Sequence, residues 1–413
     1  MREMKDSGVP WIGIMPKEWN LFRGKTILCL LDQPVKEDDG VITCFRDGEV
    51  TLRSNRREDG FTFSVQEDGY QGIEPGDLVV HGMDGFAGAI GISDSRGKAT
   101  PVLNVMDSSE NKRFIMYQLR TMAHCGLFLA LSSGIRVRSC DTNWNKLKDI
   151  LYIVPSLAAQ KRIADFLDAK CAEIDSILEQ TKTSIEEYKA LKQAVITEAV
   201  TKGVRGNRPM KDSGVEWIGE IPVVWGVSRH KYVMHKEKDI CESYSGQDII
   251  SLTMNGVIVR DLDAGGKMPT SFDGYQFVEP GTLLLCLFDI DVTPRCVGLV
   301  KNHGVTSPAY SKFIVHEGYH AAYYDYLLRY IDDNKYFVHL AKNLRSSLTE
   351  SDFGVLPTIV PPIDEQREIA AYLDEKCSTI DSLIASKEAL IGELEAYKKS
   401  LIYEYVTGKK EVL

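Results

Sequence analysis

The sequence predicts an α+β chain built by tandem duplication. It has two homologous α/β bodies, each followed by a long helix, and the helices pair as an antiparallel coiled coil about a pseudo-twofold axis. Three observations lead there. The stretch from Leu157 to Thr201 contains no Pro or Gly and repeats apolar residues at Leu167, Ile174, Tyr188 and Val195, with Ile177 and Leu191 at the intervening seam positions, the pattern of a helix with one sticky face. A helix of that length would be a rod of roughly 65 Å and needs a partner along it. The second observation supplies one: Pro362 to Thr407 repeats the pattern at a constant offset of 206 residues, giving the matching seam Leu373, Ile380, Leu383, Leu394 and Leu401. The third is that both stretches preceding these helices break into short apolar runs separated by turn residues.

The duplication can be followed residue by residue. Ile153, Val154, Pro155, Gln160, Ile163, Ala164, Leu167, Asp168, Cys171 and Asp175 recur as Ile359, Val360, Pro361, Gln366, Ile369, Ala370, Leu373, Asp374, Cys377 and Asp381, without a gap. MKDSGVPWIGIMP from Met4 likewise matches MKDSGVEWIGEIP from Met210, and Trp19 falls on Trp225. Self-similarity of this kind marks a repeated structural unit.

In chain order, residues 1–155 form an arm and a first body. The arm, Met1 to Pro16, has no strand or helix periodicity, and its tryptophans at 11 and 19 are expected to pin it by burial. Gly40 to Cys44, Thr62 to Val65, Asp77 to His81, Ala89 to Ser93 and Ile150 to Val154 read as strands, bounded by DDG, EDG, EPGD and SRGK, and Arg113 to Leu131 reads as a helix. Residues 156–203 are the first long helix, stopped by Gly203 and the following Pro209. Residues 204–361 hold the linker GVRGNRPM and a second body of the same grammar. There EPGTLLLCLFDI from Glu279 parallels EPGDLVVHGMDG from Glu74, VGLV at 297–300 parallels IGIS at 90–93, and a helix is expected from Tyr319 to Asp332. Residues 362–413 are the second long helix, which ends at Gly408.

Seam charges predict the direction of pairing. With Leu167, Ile174 and Val195 at one seam position, Lys170 and Glu198 fall on the other, as do Lys376 and Glu404 in the second helix. A parallel pair would set like charges together, so the antiparallel arrangement is expected.

Composition bounds the function. The chain has 413 residues, 44% of them hydrophobic, enough for two cores. No apolar run approaches the roughly 18 residues that span a bilayer, and MREMKDSGVP carries no signal-peptide core, so a soluble, cytoplasmic chain with no membrane partner is expected. Nine cysteines without a CxxC pair suit a reducing compartment. The net charge of −10, with 17 basic and 19 acidic side chains between Pro16 and Pro155, means that nucleic-acid binding would have to come from local patches or from partners.

The strings that resemble catalytic motifs do not hold up. His316-Glu317-Gly318-Tyr319-His320 matches HExxH, but Gly318 places it where a strand turns into a helix, without a counterpart in the first half or a third ligand. GISDSRGK from Gly91 has one residue too many for a phosphate loop, and Ala99 stands where Ser or Thr is needed. No metal site, catalytic residue or cofactor bound by this chain is expected. The basic residues are more informative. Arg53, Arg56 and Arg57 sit in the polar loop TLRSNRRED, and Arg136 and Arg138 precede the last strand of the first body. Lys342, Asn343 and Arg345 occupy the equivalent place in the second. Arginine can donate twice to guanine, asparagine can pair with adenine, and lysine or serine can hold phosphates.

The duplicated halves, the string IVPPIDEQREIAAYLD (Ile359 to Asp374), its twin IVPSLAAQKRIADFLD (Ile153 to Asp168) and GVTSPAY from Gly304 together resemble the specificity subunit of type I restriction-modification systems, over essentially the whole chain. The resemblance implies two target-recognition domains, each reading one half of a split double-stranded DNA target with an unread spacer. It implies that the paired helices set the spacing and dock two methylation subunits, with restriction/translocase subunits joining the complex. S-adenosylmethionine, ATP and Mg would reside on those partners, and a bacterial or archaeal cytoplasm is the expected setting. The first copy departs from the pattern with Ala158-Ala159-Gln160 where the second has Glu365-Gln366, and with Leu103 where the second has Tyr310. Two other readings are a coiled-coil scaffold that reads no DNA, which would not require two diverged bodies with matched basic loops, and a free-standing enzyme, which would require a constellation the sequence lacks.

Overall fold

A computed structural model describes residues 2–56, 68–131, 142–254, 256–263, 269–291, 293, 295–340 and 347–412. The chain divides into two compact units, Met1–Thr181 with Glu388–Leu413, and Lys182–Lys387. These differ from the sequence domains because each unit takes one body together with a part of each long helix.

Each body is layered around a four-stranded antiparallel sheet. In the first unit the strand order is Leu28–Leu30, Leu103–Ser108, Leu78–His81, Ile90–Ile92; in the second it is Met234–Lys236, Ser311–Val315, Leu283–Leu285, Val297–Leu299. Successive side chains of a strand face opposite sides, and here both sides are covered. Leu78, Val80, Ile90 and Met106 pack with Phe114, Ile115, Leu119 and Met122 of helix α1 (Lys112–His124), while Val79 and Val105 pack with Ile42, Val50 and Ile73 of a second layer. In the second unit Leu283, Leu285 and Val297 meet a helix numbered 321–333 below, and Leu284 faces Ile250 and Val278. Coverage on both sides is why these strands read as continuous LVV and LLL runs.

The second layer keeps one topology in both units. In the second unit it is a five-stranded sheet, ordered Ile240–Cys241, Tyr275–Val278, Gly304–Thr306, Ile249–Thr253, Gly256–Val259, whose one parallel pairing sets Ile249 opposite Val305. In the first unit the hairpin Ile42–Cys44/Val50–Leu52 and the pair Gln71–Ile73/Gly97–Ala99 are linked by a parallel bridge, Val41 to Lys98.

The repeated sequence string is the joint between body and helix. Long helices α2 (Leu157–Lys202) and α4 (Ile363–Val406) follow strands Leu151–Val154 and Pro357–Val360. Buried Gln160 of α2 accepts from Asn111 N (2.9 Å), just ahead of α1, and donates to Pro155 O (2.9 Å). Gln366 does the same for α3 (Ala321–Asp333), accepting from His320 N and donating to Pro361 O, each at 2.8 Å. Two turns further on, Asp168 accepts from Tyr117 Oη (2.7 Å) and Asp374 from Tyr326 Oη (2.8 Å). These side-chain bonds, made by two buried glutamines and two aspartates nearer the surface, fix the angle between each body and its helix.

Within the first unit the α2 and α4 segments run in opposite directions: Phe166 meets Tyr405 at 4.5 Å between ring centroids, and Asp175 pairs with Lys398 at 2.6 Å. Within the second, Lys387 lies over the Tyr188 ring at 5.6 Å and Lys192 pairs with Asp381 at 2.7 Å. The two ion pairs are one pair duplicated, since Asp175 corresponds to Asp381 and Lys192 to Lys398. Leu167, Ile174, Leu373, Ile380 and Leu401 are buried, and Tyr188, Val195 and Leu394 are half-buried.

Several sequence expectations are corrected here. Ile177, Leu191 and Leu383 are exposed, and the second seam position belongs one residue later, to Cys171, Leu178 and Ile185. The shift removes Lys170 and Glu198 from the seam. Lys170 is exposed and pairs with Glu173 of its own helix (2.7 Å), and the charges that pair across helices are those of Asp175 and Lys192 with their partners. The misreading arose because Ile177 and Leu178 are adjacent apolar residues, and sequence alone does not say which faces inward. The helix expected to reach Leu131 stops at His124, since Gly126 adopts φ 73°, and a short turn, Leu127–Ala130, follows. The arm is a hairpin of three-residue strands, Met4–Asp6 with Ile14–Pro16, too short for periodicity to register, and Trp11 and Trp19 are buried in the first core. The strand expected at Thr62 to Val65 lies outside the described residues.

Candidate nucleic-acid interface

In the first body three turns come together. One, Phe45 to Gly48, closes the hairpin Ile42–Cys44/Val50–Leu52, with Gly48 N bonded to Phe45 O at 2.9 Å. Gly48 adopts φ 90°, and a Cβ there would collide with the Arg120 guanidinium, which donates to Gly48 O (2.9 Å) and Ile90 O (2.8 Å). A second turn, Met83 to Gly88, joins the central strand Leu78–His81 to the edge strand Ile90–Ile92. His81 Nδ1 accepts there from Met83 N (3.2 Å) and Asp84 N (3.1 Å), and burial lowers the His81 pKa, so the ring stays a neutral acceptor. Arg46 of the first turn donates to Asp84 of the second at 2.9 Å and ties them together. The third turn is the helical turn Arg53–Asn55 and Arg56 after it.

Of the residues singled out in sequence, Arg53 and Arg56 fall in this cluster. Arg53 Nε lies 3.4 Å from Thr43 Oγ1. Arg56 lies over the Phe45 ring at 4.2 Å and pairs with Asp47 (2.7 Å) and Glu49 (3.0 Å), so two carboxylates already oppose its charge. Arg57, Arg136, Arg138, Lys342, Asn343 and Arg345 lie outside the described residues. Residues close after the stretches holding Arg138 and Arg345 are anchored at the cluster. Thr142 N donates to Gly82 O (2.9 Å) and its hydroxyl to His81 O (2.8 Å); in the second body, Leu348 N donates to Leu287 O (2.9 Å).

The second body brings the equivalents of the first two turns together with other residues. Its hairpin turn ends at Gly256 (φ 101°), the counterpart of Gly48, and its second turn leaves the central strand at Leu287 and Phe288. The two turns are again tied by an arginine, now reaching the other way: Arg295 donates to Met254 O at 3.0 Å. Burial lowers the Arg295 pKa from its ordinary value. The sequence reading missed Arg46, Arg295, Met83 and Phe288. The aligned strings EPGDLVVHGMDG and EPGTLLLCLFDI held the signal, since they put Met83 opposite Phe288.

The HExxH string lies in a turn, with His316 across from the His235 ring (5.0 Å between centroids) and His320 at the N-cap of α3. Among the described residues no three His, Cys, Asp or Glu side chains gather to hold a metal ion, and no helix is long and apolar enough to cross a membrane. What the cluster offers is arginine, backbone donors and exposed apolar groups at loop tips carried on a packed scaffold, a combination suited to reading a surface.

No family model matches the sequence. A protein of Methanocaldococcus jannaschii named as the MjaX type I restriction enzyme specificity subunit is 23% identical over 314 residues, which cover 72% of this chain and 68% of the relative. The EcoBI specificity subunit of Escherichia coli is 32% identical over 132 residues, 31% of this chain and 27% of the relative. The chain is similar to type I restriction enzyme specificity subunits. Solved structures share its fold. A chain from a type I R-M system, solved for its complex assembly and conformational transition, superposes with a TM-score of 0.70 at 14% identity, covering 96% of this chain and 99% of that one. The HsdS subunit of Thermoanaerobacter tengcongensis does so at 0.51 and 15% identity, covering 96% and 98%.

Proposed function

We propose that this chain is the DNA sequence-specificity subunit of a type I restriction-modification complex, non-catalytic itself, in which each body reads one half of a bipartite target. The observation that carries the reading is the loop cluster built twice, once per body, at the place where the stretches holding Arg136 and Arg138, or Lys342, Asn343 and Arg345, rejoin the fold. A single structural scaffold would not need two such clusters with different residues. The coiled-coil pairing of α2 and α4 sets the unread spacer and docks the methylation and restriction subunits. Exposed Leu390 and Tyr397, seven residues apart on α4, support that docking role as apolar side chains left for a partner helix. The acidic net charge fits a subunit whose partners supply most of the phosphate contacts.

The test is to map adenine methylation in cells that express the chain with its cognate methylation subunit. A split motif is expected that disappears when this chain is omitted. If no motif depends on the chain, the DNA-reading function is refuted and a scaffold role replaces it. A second expectation concerns spacing: adding one heptad to both α2 and α4, in register, should lengthen the unread gap by several base pairs while both half-sites stay the same. A gap of unchanged length would show that the helices do not set it.

A further inference from the structure

The turn after the central strand exposes a large apolar side chain in both bodies. Met83 is 53% exposed and Phe288 is 42% exposed, and the two occupy equivalent positions, one residue after Gly82 and Leu287, which anchor Thr142 and Leu348. A single exposed apolar residue means nothing, since much of any protein surface is apolar. Its recurrence is different. The two turns share little else: Gly82 is replaced by Leu287, Gly85 by Ile290 and Ala89 by Cys296, yet each keeps a long apolar side chain in water at its tip, next to an acidic residue, Asp84 or Asp289. Each turn is also clamped to the neighbouring hairpin turn by an arginine, Arg46 to Asp84 in one body and Arg295 to Met254 O in the other. Met254, at the neighbouring turn, is 73% exposed. Covering an apolar side chain that a clamped turn already holds in place is favourable and costs little further ordering, which suits these tips to a partner surface.

Duplex DNA fits as that partner. Thymine methyl groups and the faces of base steps are apolar surfaces that Phe and Met contact. Resting on the function proposed above, we infer that Met83 and Phe288 are the side chains through which each body makes apolar contact with the bases of its half-site. They act in specificity and carry no charge to the backbone.

The experiment uses the full chain assembled with its methylation subunits, carrying Met83→Ala, Phe288→Ala or the conservative Phe288→Leu. It reads the methylation motif and the affinity for a duplex containing the wild-type motif. Phe288→Ala should relax or erase one half of the motif and leave the other intact, and Met83→Ala should do the reverse. Each should weaken binding about 10- to 100-fold at fixed salt without changing the salt slope, while Phe288→Leu retains most of the affinity. The intact half reports that the variant is folded and assembled. The inference is overturned if the wild-type motif depends on the chain but both alanine variants keep both halves and full affinity. It is equally overturned if one substitution erases both halves, or if the salt slope falls, which would mark a phosphate contact. A wild-type chain that directs no motif would instead sink the function on which the inference rests.

Discussion

Changing Glu365 to Ala is expected to destabilise the second unit by about 3–5 kcal/mol. Glu365 is buried at the start of α4, where its Oε2 receives Arg208 Nη1 at 2.6 Å and Trp225 Nε1 at 2.9 Å, with Arg205 at 3.7 Å from Oε1. Burial alone would push the Glu365 pKa up, but the bonds from Arg208 and Trp225 outweigh it and hold the carboxyl below its ordinary value. Without the carboxylate, Arg208 would keep a largely buried guanidinium over the Trp225 ring, 5.0 Å from its centroid, and the indole N–H would lose its acceptor. Breaking one side of such a pair costs more than the pair contributes, because the other charge is left stranded. Glu365→Gln keeps the shape and an acceptor and should cost roughly 1–2 kcal/mol. Urea unfolding followed by tryptophan fluorescence measures both; a loss below about 1 kcal/mol for the alanine variant would show that water replaces the carboxylate. The first half shows how the hub can be dispensed with. Ala159 stands at the equivalent position, and Arg2, the counterpart of Arg208, lies over Trp19 at 5.6 Å but turns its charge to Glu18 (3.2 Å) and Glu411 (3.1 Å).

That hub bears on what the sequence could reveal. The duplication was legible because the joint between body and helix uses groups with exacting partners. Gln160 and Gln366 each satisfy two backbone groups, and Asp168 and Asp374 each hold a tyrosine hydroxyl, so the residues recur at fixed spacing and can be seen without a structure. Antiparallel pairing was reached through the wrong charges. The charges that pair are the duplicated Asp175 and Lys192 sets, one of them visible in the repeat, but the choice between Ile177 and Leu178 for the seam depended on packing that no spacing of apolar residues specifies. At the candidate interface the basic residues were visible, yet their state was not: Arg56 looks free in TLRSNRRED and is held by Asp47 and Glu49 from the facing turn. Turn tips such as Met83 and Phe288 escaped notice because their exposure follows from tertiary structure, whereas an apolar residue beside a strand reads as core.

His230, between Arg229 and Lys231, yields the second large effect. It is fully buried, with its ring stacked on Phe353 at 4.6 Å and its backbone N–H bonded to Leu356 O at 3.1 Å. Neither ring nitrogen has a hydrogen-bond partner within the described residues. Burial lowers its pKa from 6.5 to about 4, so the native state keeps the ring neutral over a range in which the unfolded chain takes up a proton. Between those values the unfolded state binds more protons, hence stability rises with pH there. The contribution is complete above pH 6.5 and is lost progressively as pH falls towards 4, amounting to roughly 3 kcal/mol. Glu237 and Glu365, both held below their ordinary range, lose stability at lower pH as well, so the informative quantity is the difference between wild type and His230→Leu. Unfolding of the chain at pH 7 and at pH 4.5 should show the wild type losing most of that increment and the leucine variant losing much less. Gly24 holds the equivalent position in the first unit, so this transition belongs to the second unit alone. Equal losses in the two proteins would mean that the imidazole finds water in the folded state and titrates as an exposed histidine does.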